Sequence, residues 1–403
     1  FAALLPLIPL HQNATNPELI RTAGGAEQHG HDFGWQFGNY QLRGAAAISE
    51  ELSPDEEPLP DPFFPPAMEQ DAIFFGGTDP GRFVPTYMIY SARVREDVYL
   101  ITQNALADNT YMSVMRDLYG YQTWIPAQHN SAKAIQVYVK EVQDGTRPRN
   151  ADLVIQEGRV QVSGALGVME INGILADMIF DHNKHKHAFY VEESYVIRWM
   201  YPYLTPHGLI MRINGERTPL TPPVVRDDQD FWDWYTRRLV GDPKFVRDIV
   251  ARKSFSKLRS ALAGLYANRG KPADAEKAYQ QARLLYPLSP EATFRYVQEV
   301  LMRQRRFDDS LRLMKEFKTQ DPGNRKVDPF VEHLEKVKNL TDRIRALESK
   351  RREGKIDLNS ALQLAELYRQ AGQKGTSVQM LRQIMATPKL DYRVLLRVAA
   401  LFA

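Results

Sequence analysis

Residues 71–120, DAIFFGGTDPGRFVPTYMIYSARVREDVYLITQNALADNTYMSVMRDLYG, decide the reading of this chain. Two apolar runs, Ala72-Ile73-Phe74-Phe75 and Val98-Tyr99-Leu100-Ile101, are each followed by a polar turn and then by apolar residues at helical spacing. That order predicts a βαβα unit. In such units ligands bind in the loops after the carboxyl ends of the strands, which makes Gly76-Gly77-Thr78-Asp79-Pro80-Gly81-Arg82 and Thr102-Gln103-Asn104 one candidate site.

Working outward, residues 136–142 read as helix and residues 152–163 as a hairpin turning at Glu157-Gly158. Residues 169–180 read as a buried helix, Phe189-Tyr190-Val191 as a strand and residues 208–213 as a last strand. Strands alternating with helices predict an α/β domain over residues 67–240, a Rossmann-like sheet covered by helices on both faces. Upstream, residues 45–66 combine an acidic run with six prolines, and the missing donors and fixed φ of proline predict an extended loop. The first ten residues, FAALLPLIPL, are apolar but too short to span a bilayer. They lack the basic region and cleavage site of a signal peptide, and one reading packs them on the core.

From residue 241 strand patterns stop and a repeat begins. Ala263, Tyr266, Gly270, Ala275, Tyr279, Ala282 and Pro287 fall at the spacing of a tetratricopeptide repeat, whose period is about 34 residues. Leu301, Ser310, Met314 and Phe317 occupy equivalent slots in a second copy that has lost its glycine. Ala365, Tyr368, Gly372, Ser377, Leu381 and Ile384 make a third. Between these copies residues 327–353 read as a long charged helix with Phe330, Leu334, Val337, Leu340, Ile344 and Leu347 on one stripe. Residues 241–403 are therefore expected to be an all-α domain of stacked helix pairs.

A chain of 403 residues, 43% hydrophobic and 25% charged, has the composition of a globular protein of two or three domains. With no cysteine, disulfides, thiolate catalysis and sulfur-ligated zinc are excluded. The net charge of +3 hides an asymmetry: residues 241–403 hold 33 Lys+Arg against 19 Asp+Glu, and residues 1–240 hold 19 against 30. The basic half could face an acidic protein, an anionic membrane surface, or the acidic half of its own chain.

Several groups offer chemistry. The glycines of residues 76–82 would let backbone N–H groups approach an anion at a helix start, but the loop lacks both the Walker spacing and the dinucleotide fingerprint. Asp79 before Pro80 also reads as a helix cap, a role compatible with ligand binding. His182, His185 and His187 beside Asp181 do not give two imidazoles at i and i+4, and Lys184 and Lys186 would repel a cation, so a solvated helix end is expected rather than a metal site. Phe33, Trp35, Phe37 and Tyr40 beside His29, His31 and Asp32 are the residues of a sugar-binding surface and equally of a core. Thr78, Asp79, Arg82, Asn104 and Glu192 are expected to gather at one edge of the sheet as ligand-binding residues. No residue is expected to be catalytic, and no metal, cofactor or nucleic-acid partner is expected.

Gly77-Thr78-Asp79, Pro85-Thr86-Tyr87 and Arg95-Glu96-Asp97-Val98 before Asn104 carry a family resemblance. So do His31-Asp32-Phe33-Gly34-Trp35 with Asn39, Ala188-Phe189-Tyr190-Val191, and Pro202-Tyr203-Leu204 leading into Gly208-Leu209-Ile210-Met211-Arg212. Together these blocks, scattered over residues 30–215, resemble the soluble tail of a bacterial group of multi-spanning membrane proteins related to the membrane O-mannosyltransferases. The commoner form has Gly-Asp-Asn-Asp where this chain has Gly76-Gly77-Thr78-Asp79, so an acidic residue is missing at Gly77. The resemblance implies that residues 1–66 are a membrane-proximal segment and loop, with the first residues the end of a last transmembrane helix. It further implies an extracytoplasmic, periplasmic region of a membrane glycosyltransferase-like protein involved in protein O-glycosylation. Its partners would be its own membrane domain, a protein or glycan acceptor, and a peptide in the helical-repeat groove. The alternative is a free-standing tetratricopeptide interaction module on a non-catalytic α/β scaffold.

Overall fold

The structure, a computed structural model, describes residues 6–17, 33–77, 82–146, 153–156, 159–162, 164–192, 197–387 and 390–402. The chain divides into two compact units, Phe1–Val300 and Leu301–Ala403.

The first unit is built on a five-stranded mixed sheet in the order β2-β1-β5-β7-β6. β1 (Ile73–Gly76) lies between β2 (Tyr99–Thr102) and β5 (Phe189–Val191), parallel to both, with Ile73 opposite Tyr99 on one side and Phe189 on the other. β7 (Ile210–Ile213) runs antiparallel to β5, and β6 (Leu204–His207) antiparallel to β7. The four strands expected from sequence thus share one sheet. Because side chains alternate along a strand, Phe74, Leu100 and Tyr190 face one way and Phe75 and Phe189 the other. The first face is covered by Met88 and Ile89 of a helix at Phe83–Tyr90 and by Leu42. On the second, Phe75 and Phe180 both meet Phe189, Phe180 coming from the long apolar helix Ala165–Asn183.

Three expectations need correcting. Residues 204–207 form a strand that the pattern hid, because Pro206 interrupts the apolar alternation. It is tolerated at the sheet edge, where its missing N–H breaks no ladder. Residues 45–51 are a helix, and the extended segment starts only at Leu52. Three alanines and the left-handed Gly44 set up that helix. Gly44 has φ 57°, and a Cβ there would lie 2.2 Å from the Pro65 carbonyl oxygen. His187 belongs to the interior and not to a solvated end: it is buried, with Nδ1 2.7 Å from the Asp71 carbonyl oxygen. The expected hairpin is present as β3 (Leu153–Gln156) paired antiparallel with β4 (Arg159–Val162); its turn residues lie outside the described ones.

The same unit continues into helices. We label Pro222–Gly241 α8, Ile249–Asn268 α10 and Pro272–Leu285 α11, after the helices upstream of them among the described residues, α1 (Leu7–Thr15), α2 (Phe33–Arg43), α3 (Ala45–Glu51), α4 (Phe83–Tyr90), α5 (Asn109–Tyr119), α6 (Gln128–Gln143) and α7 (Ala165–Asn183), and with α9 (Pro243–Arg247) between α8 and α10. α8 is fastened to the sheet by Trp232, whose Nε1 donates to the Gly208 carbonyl at 3.1 Å. Arg269, at the end of α10, donates to the carbonyls of Tyr201 and Thr218. The change of charge and pattern at residue 241 therefore falls inside a compact unit whose end is at Val300. α10 and α11 form a close pair around Ala263, Tyr266, Ala275, Tyr279 and Ala282, all fully buried.

The second unit contains α13 (Phe307–Gln320), α14 (Val327–Arg352), α15 (Leu358–Gln370), α16 (Lys374–Met385) and α17 (Tyr392–Phe402), with α12 (Pro290–Tyr296) ending the unit before it. Its core gathers Ile344 and Leu347 of α14, Leu362, Leu364, Ala365 and Tyr368 of α15, and Met380, Leu381 and Ile384 of α16. Among the described residues no helix is long and apolar enough to cross a membrane.

Candidate functional site at the carboxyl edge of the sheet

In sequence β1 is followed by β2 on one side of it and later by β5 on the other. The connection after β1 leads to β2 and that after β5 leads the other way, to β6 and β7, so the crevice between the carboxyl ends of β1 and β5 is the switch point of the sheet, where open α/β folds hold ligands. Glu192, the first residue after β5, sits in that crevice and is 1% exposed. Its Oε2 accepts a hydrogen bond of 3.1 Å from the backbone N–H of Gly77, the first residue after β1. A carboxylate withdrawn from water needs donors, and a loop leaving a parallel strand has unpaired N–H groups to give. The bond therefore links the two strand ends across the crevice.

The loop after β2 is held from the opposite side of the sheet. Asn172, 2% exposed on α7, accepts from the Ala107 N–H at 2.7 Å and donates to the Asn104 carbonyl at 3.0 Å. One amide thus satisfies a donor and an acceptor of the same loop. The Thr102 N–H, at the last residue of β2, donates to the hydroxyl of Tyr111 at 2.5 Å, and burial pushes that phenol's pKa up. Asp108 caps α5 by accepting from the N–H groups of Thr110 and Tyr111. Gln103 is buried in the same loop, and its Oε1 has no hydrogen-bond partner among the described residues.

Of the residues expected at this edge, Asn104 and Glu192 are at the ends of strands that flank β1. Arg82 is exposed at the start of α4, its guanidinium 5.3 Å from the centre of the Phe83 ring. Thr78 and Asp79 lie outside the described residues. Sequence reasoning missed Asn172, Tyr111 and Asn183. The signal was present: Asn172 and Asn183 are amides within the otherwise apolar stripe of α7, and a buried amide must find backbone partners. Asn183 does so with both carbonyl and N–H of Trp124.

Of the aromatic amino-terminal group Phe33, Phe37 and Tyr40 are core, Trp35 is exposed, and His29, His31 and Asp32 lie outside the described residues. Phe33 packs edge-on against Phe245, Phe37 against Phe255, and Tyr40 against Tyr235, so α2 is a joint between the sheet domain and α8 to α10. Glu51 ties this joint by accepting from Trp35 Nε1, Asn39 Nδ2 and the Tyr40 hydroxyl. His182 stacks on Trp124 with ring centres 3.8 Å apart. No group of three or more His, Asp or Glu side chains able to hold a metal ion occurs among the described residues.

No protein-family model, curated protein or solved structure matches the chain.

Proposed function

We propose that this chain is a non-catalytic docking region of a membrane glycosyltransferase-like protein, placed on the extracytoplasmic side, where it holds a protein or glycan acceptor. The observation that carries the reading is the Glu192 to Gly77 bond. A general acid or base must reach a substrate proton, whereas this carboxylate is buried and engaged with its own backbone at the point where a ligand would enter. Support for docking comes from the small residues buried within the helix pairs, Ala263, Ala275 and Ala365, at the spacing of tetratricopeptide repeats. The resemblance in residues 30–215 supports the membrane assignment.

The test has two parts. The purified chain should give no turnover with nucleotide-activated or lipid-linked sugars; transfer that disappears in Glu192→Gln would overturn the non-catalytic reading. The gene upstream of Phe1 should encode several apolar segments of about 20 residues. A start codon at that point would favour the free-standing interaction module.

A further inference from the structure

At the amino end of β5 a hollow of about 220 Å³ opens between the last turn of α7, the loop after it and the end of β7. It lies at the edge of the sheet opposite the Glu192 crevice. Sequence alone reads Lys184 and Lys186 as a solvated helix end, but the fold brings Arg212 of β7 and Glu69 of the segment before β1 to the same wall. Three cations therefore meet there with one carboxylate. That carboxylate is engaged, Glu69 Oε1 lying 2.5 Å from Arg212 Nη2. Asp177 and Asp181 of α7 act on Lys184 without lining the hollow, and Asp181 Oδ1 holds the Lys184 Nζ at 2.5 Å. Lys186 has no carboxylate partner among the described residues: its Nζ donates to the Gln122 carbonyl at 2.7 Å.

We propose that this hollow binds a phosphate monoester, a ligand that the docking reading above neither names nor needs. Donors outnumber acceptors on its wall. An ammonium carries three N–H groups and a guanidinium five. Lys184 and Lys186 therefore keep donors beyond the single bonds just described, and the Arg212 Nε is buried with no hydrogen-bond partner among the described residues. His187, the buried ring of the wall, adds none, since its Nδ1 and Nε2 lie 2.7 and 3.3 Å from the Asp71 and Gln122 carbonyl oxygens. The carbonyls that end α7 would repel an anion if they were bare. Those of Phe180 and Asn183 are covered, the first by the backbone N–H of Lys184 and the second by those of Lys186 and His187. Surplus donors on a positive wall call for an anion with several oxygens. A phosphate monoester brings three terminal oxygens and a charge of about −1.5 to −2, where a carboxylate brings two oxygens and a single charge.

Isothermal titration calorimetry of the full chain tests this with inorganic phosphate, glycerol phosphate, acetate, and phosphatidylcholine vesicles with or without phosphatidic acid. Inorganic phosphate and glycerol phosphate should bind saturably, and acetate about tenfold more weakly, the difference of one charge-assisted hydrogen bond. Binding of glycerol phosphate without the phosphatidic acid vesicles would assign a soluble ester, and binding of both the phosphate group on either carrier. Lys186→Gln should weaken phosphate binding about tenfold. Lys133→Gln, exposed on α6 away from the hollow, should leave it unchanged. Asp181→Asn should tighten it severalfold, because Lys184 is then released to the ligand. Acetate binding as tightly as phosphate, equal losses in Lys186→Gln and Lys133→Gln, no gain in Asp181→Asn, or no saturable binding at millimolar phosphate would overturn the proposal. The docking and non-catalytic readings are decided separately, by the turnover assay and the upstream gene.

Discussion

Asp228 and Arg259 are both fully buried, 2.8 Å apart, at the meeting of α8, α10 and α11. Every arm of the guanidinium is used: Nη1 to Asp228, Nε to Gln281 at 2.8 Å and Nη2 to Gln229 at 3.2 Å, with its plane 5.0 Å from the centre of the Trp232 ring. The Tyr266 hydroxyl donates to the same carboxylate at 2.6 Å. Burial pushes the Asp228 carboxyl up from its ordinary range, and the arginine and tyrosine draw it back. Asp228→Ala would leave a buried cation with no counter-charge, and denaturant unfolding should show a loss of about 3–5 kcal/mol. His207 makes a second residue-scale prediction. It is buried on the sheet face beside Tyr190, and burial, with Arg212 nearby, lowers its pKa to about 4. An unfolded histidine titrates near 6.5, so the unfolded chain binds the extra proton first as pH falls. Stability from this group is therefore complete above about pH 6.5 and lost progressively towards pH 4, by roughly 3 kcal/mol. His207→Phe should remove that component from the pH profile of unfolding; an unaltered profile would show that other groups set it. Neither residue announced itself in the sequence. Asp228 lies in a run of charges that reads as a solvated helix face, and only the packing of α10 and α11 against it takes it out of water.

At the scale of elements, four helix ends share one closure, and at one of them, the end of α14, the Lys355 N–H donates to the Lys350 carbonyl at 2.9 Å over Gly354 at φ 69°. At the other three, backbone N–H groups of Lys271, Arg306 and Gln373 donate to the carbonyls of Tyr266, Leu301 and Tyr368 at 2.8–2.9 Å, each likewise five residues back. This 6→1 bond needs a left-handed residue just before the donor. Gly270 and Gly372, like Gly354, supply it, with φ of 70° and 74°, while the turn after Leu301 uses Arg305 at φ 59°. The turn without glycine thus keeps the same closure with Arg305 in the left-handed place. Arg305→Gly should relieve the side-chain clash and stabilise the chain by about 0.5–1 kcal/mol net of the entropy that glycine adds to the unfolded state. Destabilisation in chemical denaturation would contradict it. Four sheet strands, the helices after the first two of them and the helices of the repeat pattern were legible because apolar periodicity is strong there, whereas those at Phe33–Arg43, Ala45–Glu51 and Pro222–Gly241 were not read. The strand at residues 204–207 was not, since four residues with a central proline carry too little pattern. The loop ties of the candidate site were legible only as residue types, because which carbonyl an asparagine reaches depends on how α7 crosses the sheet.

For the whole molecule, the two units have separate cores, one around Phe74 and Tyr190 and the other around Leu364 and Leu381. Unfolding should therefore depart from a single two-state transition. Leu364→Ala should cost about 2–5 kcal/mol and lower only the calorimetric transition of residues 301–403; a joint shift of all heat absorption would show one cooperative body. The bond between Gly77 and Glu192 has a consequence of another kind. A backbone proton given to a buried carboxylate exchanges with solvent deuterium only when the strand ends part. The isotope uptake of this single amide therefore records how often the crevice opens. A ligand that entered there would have to take the carboxylate's place or release it, and the exchange rate of Gly77 would change with ligand concentration even where no reaction followed.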